Sequence, residues 1–189
     1  MKRLETKLEG VVILEPAVYG DHRGFFTESY NRKNLAGLGI ELDFVQDNHS
    51  YSAEAGTLRG LHYQLNPMAQ TKLVRVTAGA VYDVAVDIRE GSPTYGEWVG
   101  VILSEANHRQ LLIPAGFAHG FCTITPHTHV SYKVTDYYSA EHDRGIRWDD
   151  PELAIPWPVT RPVLSDKDSK HPSLREAEAH FPYREVSLT

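Results

Sequence analysis

Ala80-Val81-Tyr82-Asp83-Val84-Ala85-Val86-Asp87-Ile88 decides the fold class. In an extended chain Ala80, Tyr82, Val84, Val86 and Ile88 fall on one face, and Val81, Asp83, Ala85 and Asp87 on the other. The pattern is that of a strand. Two acids on one of its faces point to solvent, the plainer reading, or to a polar cavity.

Outward from this strand, extended patterns recur about every 8 to 12 residues from Phe44 onward. They predict strands over 44–49, 57–63, 71–77, 80–88, 96–103, 109–113, 116–123 and 130–137. Turn residues separate them, as in Ala78-Gly79, Gly91-Ser92-Pro93 and Ser104-Glu105-Ala106-Asn107. Many short strands with tight turns imply an all-β sandwich or barrel, here a jelly roll. Upstream, Val11-Val12-Ile13-Leu14 reads as a strand ended by Pro16, and Asp21-His22-Arg23-Gly24 as a turn before the strand formers of 25–30. The best helix candidate spans 31–38, with Asn31 as N-cap and Gly39 as stop. From Asp143 the chain becomes proline-rich, which predicts an extended segment laid over the barrel and anchored by Trp148 and Trp157. Within it Ser173-Leu174-Arg175-Glu176 is a capping box that predicts a short closing helix. No linker or repeat interrupts this order, so a single domain over 1–189 is expected.

The chain has 189 residues, enough to bury a core unaided. Its single cysteine, Cys122, excludes an internal disulfide framework and fits a reducing compartment. No run approaches the roughly 18 apolar residues of a membrane span, and Met1-Lys2-Arg3-Leu4-Glu5 does not begin a signal peptide. A cytoplasmic protein without membrane association is expected. Against 25 acidic residues stand 19 Lys and Arg, a net charge of −6 that disfavours a broad nucleic-acid surface. A small anion held by a few converging cations remains compatible with it.

Gly56-Thr57-Leu58-Arg59-Gly60-Leu61-His62-Tyr63-Gln64 places an arginine and a histidine among strand formers. Neither is cheaply buried without partners, so the strand should face a polar cavity. Strict alternation sends Arg59 and His62 to opposite faces. Either Gly60 hosts a bulge that realigns them, or Arg59 works from the barrel mouth or a subunit boundary. Other polar candidates on strands and turns are Arg23, Glu28, Gln46, Asn48, Gln64, Lys72, Arg75, Asp83, His119 and Tyr132, with the tail cluster Ser165-Asp166-Lys167-Asp168. A lone strand histidine is more often structural than catalytic, and a strand lysine usually faces solvent. The spacing Pro114-x-Gly116-x-x-His119 matches the second metal-binding motif of cupin jelly rolls. The first motif fails: Gln64 replaces its second histidine, and Met68 and Ala69 stand where its glutamate belongs. With two donors missing, no metal site is expected.

Further blocks follow in order: Asp21-x-Arg23-Gly24-x-Phe26, Gln46-x-Asn48-x-Ser50, the Gly56-to-Gln64 stretch, Lys72-Leu73-Val74-Arg75-Val76, Asp83-Val84-Ala85-Val86-Asp87-Ile88-Arg89, Ile113-Pro114-Ala115-Gly116-Phe117-Ala118-His119-Gly120-Phe121, Tyr132-Lys133 and Ser165-x-Lys167-Asp168. Together they resemble the dTDP-4-dehydrorhamnose 3,5-epimerase family, cupin-type jelly rolls that act on sugar nucleotides. The resemblance implies an isomerase of dTDP-L-rhamnose biosynthesis that inverts C3 and C5 of a dTDP-4-keto-6-deoxyhexose through an enolate, without cofactor or metal. It implies His62 as base with Asp168 as its partner (Asp83 is the weaker candidate), Tyr132 as acid, and Lys72 near O4. Arg23, Arg59, Lys167 and His119 are then expected on the diphosphate and sugar, with Glu28, Gln46, Asn48 and Tyr138 completing the binding set. Asp143 stands where the family commonly has a glutamate, one methylene longer. A homodimer is also implied. The alternatives are an epimerase of a single centre, a metal-dependent cupin enzyme, and a sugar-nucleotide binding module without turnover.

Overall fold

The computed structural model describes residues 1–184 and Leu188 and is an antiparallel β-sandwich of the jelly-roll type. In chain order the first strands are β1 (Lys2–Glu5), β2 (Val12–Glu15), β3 (Val18–Asp21), β4 (Gly24–Thr27), β5 (Gln46–Ser52), β6 (Leu58–Gln64) and β7 (Lys72–Ala78). The rest are β8 (Ala80–Asp87), β9 (Trp98–Ser104), β10 (Gln110–Ile113), β11 (Phe117–Thr123), β12 (Thr128–Val134) and β13 (Asp143–Gly145). One sheet runs β1-β2-β10-β7-β12-β5, the other β13-β6-β11-β8-β9, and β3 with β4 forms a separate hairpin.

Both faces of β8 are buried, which resolves its two acids. Val81 and Ala85 join Val74, Val76, Phe117, Phe121 and Val130 in the core between the sheets. Val84, Val86 and Ile88 face the other way and lie under the tail, packed with Leu153, Ile155, Leu174 and Phe181. Asp83 and Asp87 are fully buried, so the solvent reading is corrected. Each carboxylate has at least one donor, although Asp83 Oδ2 has none among the described residues. Asp87 accepts from Arg89 Nη2 at 2.7 Å, Ser92 Oγ at 2.6 Å and Thr94 Oγ1 at 2.7 Å, and Asp83 binds His119 Nε2 at 2.8 Å.

The tail lies over the barrel as its prolines imply. Burying an aliphatic or aromatic side chain contributes about 1.5–3 kcal/mol, so several such anchors hold a segment that has almost no strand of its own. Trp157 donates to the Trp148 carbonyl and Trp98 to that of Leu153, each at 2.8 Å. Half of the capping box forms: the Ser173 amide donates to Glu176 Oε2 at 3.3 Å, but Ser173 Oγ donates to the same oxygen at 2.7 Å while the Glu176 amide goes to the Ser173 carbonyl, and only a turn follows over 174–176. The closing helix is therefore absent: a single turn has too few hydrogen bonds to offset helix nucleation.

Helix α1 (Arg32–Ala36) begins as expected, Asn31 Oδ1 accepting from the Asn34 amide at 3.2 Å. Gly39, at φ +74°, lets the Ile40 amide return to the Leu35 carbonyl and ends it. Leu35 and Ile40 pack on Val12, Leu14, Leu73 and Leu112.

Candidate active site

The site begins at an irregularity in β6. His62 pairs with His119 of β11, but Arg59 pairs with Phe121. Three steps along β6 match two along β11, so one extra residue is inserted near Gly60. Gly60 has φ +126°, and a Cβ there would lie 2.5 Å from the Gly120 Cα and 2.8 Å from the His119 oxygen. Only glycine fits both the dihedral and the approach. The insertion reverses parity, and Arg59 and His62 line the same cavity.

That cavity measures about 250 Å³. The five-stranded sheet contributes Arg59, His62, His119 and Phe121; the six-stranded sheet contributes Ser50, Lys72 and Tyr132. Ser165, Lys167 and Asp168 come from the tail. A larger hollow, about 320 Å³, has Tyr30, Asp47, His49, Arg75 and Lys133 in its walls. There Lys133 is already tied to Asp47 at 2.8 Å, and its described lining residues hold no histidine–carboxylate pair.

His62 Nε2 lies 2.5 Å from Asp168 Oδ1. Ser165 Oγ donates to Asp168 Oδ2 at 2.7 Å and accepts from the Asp168 amide at 3.1 Å, fixing the carboxylate. Burial pushes the Asp168 carboxyl up, but the contacts with His62 and Ser165 outweigh it and hold the group below its ordinary value. Asp168 is thus anionic and keeps the Nε2 proton of His62, so the basic lone pair is on Nδ1. Lys72 Nζ donates to the His62 carbonyl at 3.1 Å. Desolvation lowers its pKa to about 8, against the pull of Asp143 and Asp83. Desolvation also raises the Tyr132 phenol, partly offset by Arg59, so it stays protonated at neutral pH.

Arg59 donates to the Tyr51 carbonyl at 3.1 Å and has no carboxylate partner among the described residues, leaving its charge free for an anion. His119 lines the cavity, as expected of a sugar contact. Desolvation lowers its pKa more than Asp83 restores it, so it is a neutral, oriented imidazole. Asp83 is accordingly the partner of His119, not of His62. Asp143 borders the cavity, contacting Lys167 Nζ and accepting from the exposed Tyr138 hydroxyl at 3.1 Å. Gln46 and Asn48 share a face of β5 with Ser50, and Gln46 Nε2 donates to Asn48 Oδ1 at 2.9 Å. Arg23 and Glu28 do not line this cavity. Arg23 is fixed to Asp21 in the exposed β3–β4 hairpin, and Glu28 accepts from Asn31 and Asn34.

The family model of dTDP-4-dehydrorhamnose 3,5-epimerase matches residues 5–176. The chain belongs to this family. A relative from Sinorhizobium fredii, named dTDP-4-dehydrorhamnose 3,5-epimerase, is 56% identical over 181 residues, covering 93% of this chain and 91% of the relative. The crystal structure of the Bacillus anthracis dTDP-4-dehydrorhamnose 3,5-epimerase, with TDP and PPi bound, is 64% identical. It superimposes with a TM-score of 0.90, covering 91% of this chain and 98% of that one. A Legionella pneumophila dTDP-6-deoxy-D-glucose-3,5-epimerase, crystallised with dTDP-4-keto-L-rhamnose, is 49% identical with a TM-score of 0.92 over 97% of this chain and 98% of its own.

Three residues in or against the epimerase-family cavity escaped the sequence reading as site residues. Ser50 and Phe121 lie two residues from Asn48 and His119, so the period of the strand carried their signal. His171 gave none. It packs edge-on against the His62 ring at 5.3 Å between centroids, three residues after Asp168, which opens a single 3₁₀ turn (Asp168–Lys170).

Proposed function

We propose that this chain inverts C3 and C5 of dTDP-4-keto-6-deoxy-D-glucose, as a dTDP-4-dehydrorhamnose 3,5-epimerase of dTDP-L-rhamnose formation. The observation that carries the reading is the placement of His62 and Tyr132 on opposed sheets around one cavity. Both inverted carbons are α to the C4 carbonyl. Inversion needs a proton taken from one side and another delivered to the opposite side. His62, held by Asp168, takes the proton on Nδ1. The electron pair moves into the C4 carbonyl, giving an enolate whose oxygen the Lys72 ammonium stabilises. Tyr132 then delivers its proton to the other side of the carbon, and solvent restores both groups. Neither carbon changes oxidation state, so proton transfer suffices and no redox cofactor enters. Arg59 and Lys167 are the cations for the diphosphate, suited to forked and point contacts respectively. His119 orients the sugar as a neutral donor or acceptor, while Gln46, Asn48, Tyr138 and Asp143 complete the nucleotide side.

The same reading gives the chain a homodimer and one catalytic domain over 1–189. Tyr19, Phe25 and Phe26 of the β3–β4 hairpin are 66%, 62% and 70% exposed. A two-stranded hairpin is marginal alone, and three bare aromatics favour lodging on a second copy. Arg23 and Glu28, beside them, then reach the partner subunit's cavity. A buried free thiol at Cys122 fits a cytoplasmic setting, and no helix among the described residues is long and apolar enough to cross a membrane.

Incubation with the 4-keto sugar nucleotide and the NADPH-dependent reductase that consumes the epimerised product tests the activity. The wild-type chain should yield dTDP-L-rhamnose, and His62→Ala should yield none while still binding dTDP. Absence of product from wild type, with an active reductase, would contradict the reading.

A further inference from the structure

A third donor stands behind the base and its carboxylate, and the epimerisation does not use it. His62, Asp168 and His171 present ligand atoms that all lie within 4.8 Å of one another. The His171 side chain is only 8% exposed, and neither of its nitrogens has a hydrogen-bond partner among the described residues. An unsatisfied buried polar atom costs about 1–3 kcal/mol and calls for an explanation. The ring is also held in place. His62 meets it edge-on, and Gly145 lies so close that an added Cβ would fall 2.4 Å from His171 Cε1.

Two imidazoles and a carboxylate are a common donor set for zinc, with the fourth position left open. We propose that His62, Asp168 and His171 form an inhibitory site for a divalent first-row transition ion, with water from the cavity as fourth ligand. The present spacings are 2.5 Å from Asp168 Oδ1 to His62 Nε2 and 3.9 Å to His171 Nδ1. Tetrahedral zinc with bonds near 2.0–2.1 Å holds donors about 3.3 Å apart, so one spacing opens and the other closes by less than about 1 Å. The proton on His62 Nε2 leaves to solvent as the metal enters, and the second oxygen of Asp168 keeps its bond to Ser165. The neighbouring Lys167 is already held by Asp143, which limits its repulsion of the ion. This site is not that of metal-binding cupins, which would use position 64 and His119; here Gln64 serves backbone groups and His119 is engaged by Asp83. Magnesium and calcium, which prefer oxygen ligands, are poor occupants.

Binding is independent of the function proposed above, whereas inhibition rests on His62 being the base. Titration calorimetry with zinc chloride, without substrate, should show one zinc per wild-type chain and no heat with magnesium. Deuterium exchange into the 4-keto sugar should be inhibited by zinc and restored by EDTA. His171→Asn should retain turnover in the absence of zinc and raise the half-inhibiting zinc concentration at least about tenfold. Should that variant misfold, the cobalt(II) absorption of the wild-type chain still reports whether a four-coordinate nitrogen and oxygen site forms. A wild-type chain that binds neither zinc nor cobalt would overturn the proposal, as would His171→Asn inhibited at the wild-type zinc concentration. Zinc binding by a chain that never exchanges the sugar protons would leave the site standing and remove the epimerase reading.

Discussion

His62 and Tyr132 approach the cavity from different sheets, and each should leave its own signature when removed. Loss of a general acid or base costs about 10²–10⁴ in rate, so His62→Ala should abolish detectable turnover. Tyr132→Phe keeps the base. It should still exchange the α-proton from the His62 side with retention of configuration, while inverted product falls by about 10² or more, read by NMR of the sugar protons. Lys72 gives a pH dependence. Its ammonium is the active form and its pKa is lowered to about 8, so kcat/KM should fall as pH rises through that value. A limb set by Tyr132 would lie higher, because its phenol is raised. Resemblance named both members of the His62–Asp168 pair, because chemistry ties residue types to roles. It could not name His171, whose place depends on how a strandless tail folds back against β6. Nor could it tell that burial keeps His119 neutral against the pull of Asp83, since desolvation is a property of the packed chain.

At the level of elements, β6 depends on Gly60. Adding a methyl there forces an unfavourable dihedral and a clash with the β11 backbone. Gly60→Ala should lower stability by about 2 kcal/mol or more in urea unfolding, and should weaken dTDP binding by displacing Arg59. The conflict between alternation and the need for both Arg59 and His62 in one cavity was legible in the sequence, and the glycine between them was the clue to its resolution. The long strands were legible too, because each runs for seven or eight residues rich in strand formers, β6 even across the break at Gly60. The four-residue β1 and β3 and the three-residue β13 are too short to show one. β8 misled in one respect: Asp87 is satisfied within its own turn by Arg89, Ser92 and Thr94, whereas Asp83 meets His119 of β11, a partner that local sequence does not display. The capping box misled in the other direction, since a correct local hydrogen bond does not make a helix where the next turn is missing.

At the scale of the molecule, the sandwich brings His62 from one sheet and Tyr132 from the other to one cavity, and the hairpin carries the exposed aromatics proposed to meet a second copy. Phe26→Ala should weaken self-association by about 2 kcal/mol, the usual cost of removing an aromatic anchor, seen as a rise in the monomer fraction by analytical ultracentrifugation. Catalysis should fall with it, because Arg23 and Glu28 would no longer reach the partner subunit's cavity. The central claim, inversion of two centres by one opposed pair, is tested most directly by incubating the chain with dTDP-4-keto-6-deoxy-D-glucose in D₂O. Deuterium should enter at both C3 and C5 with inversion at each. Exchange confined to one carbon, or no exchange at all, would contradict it.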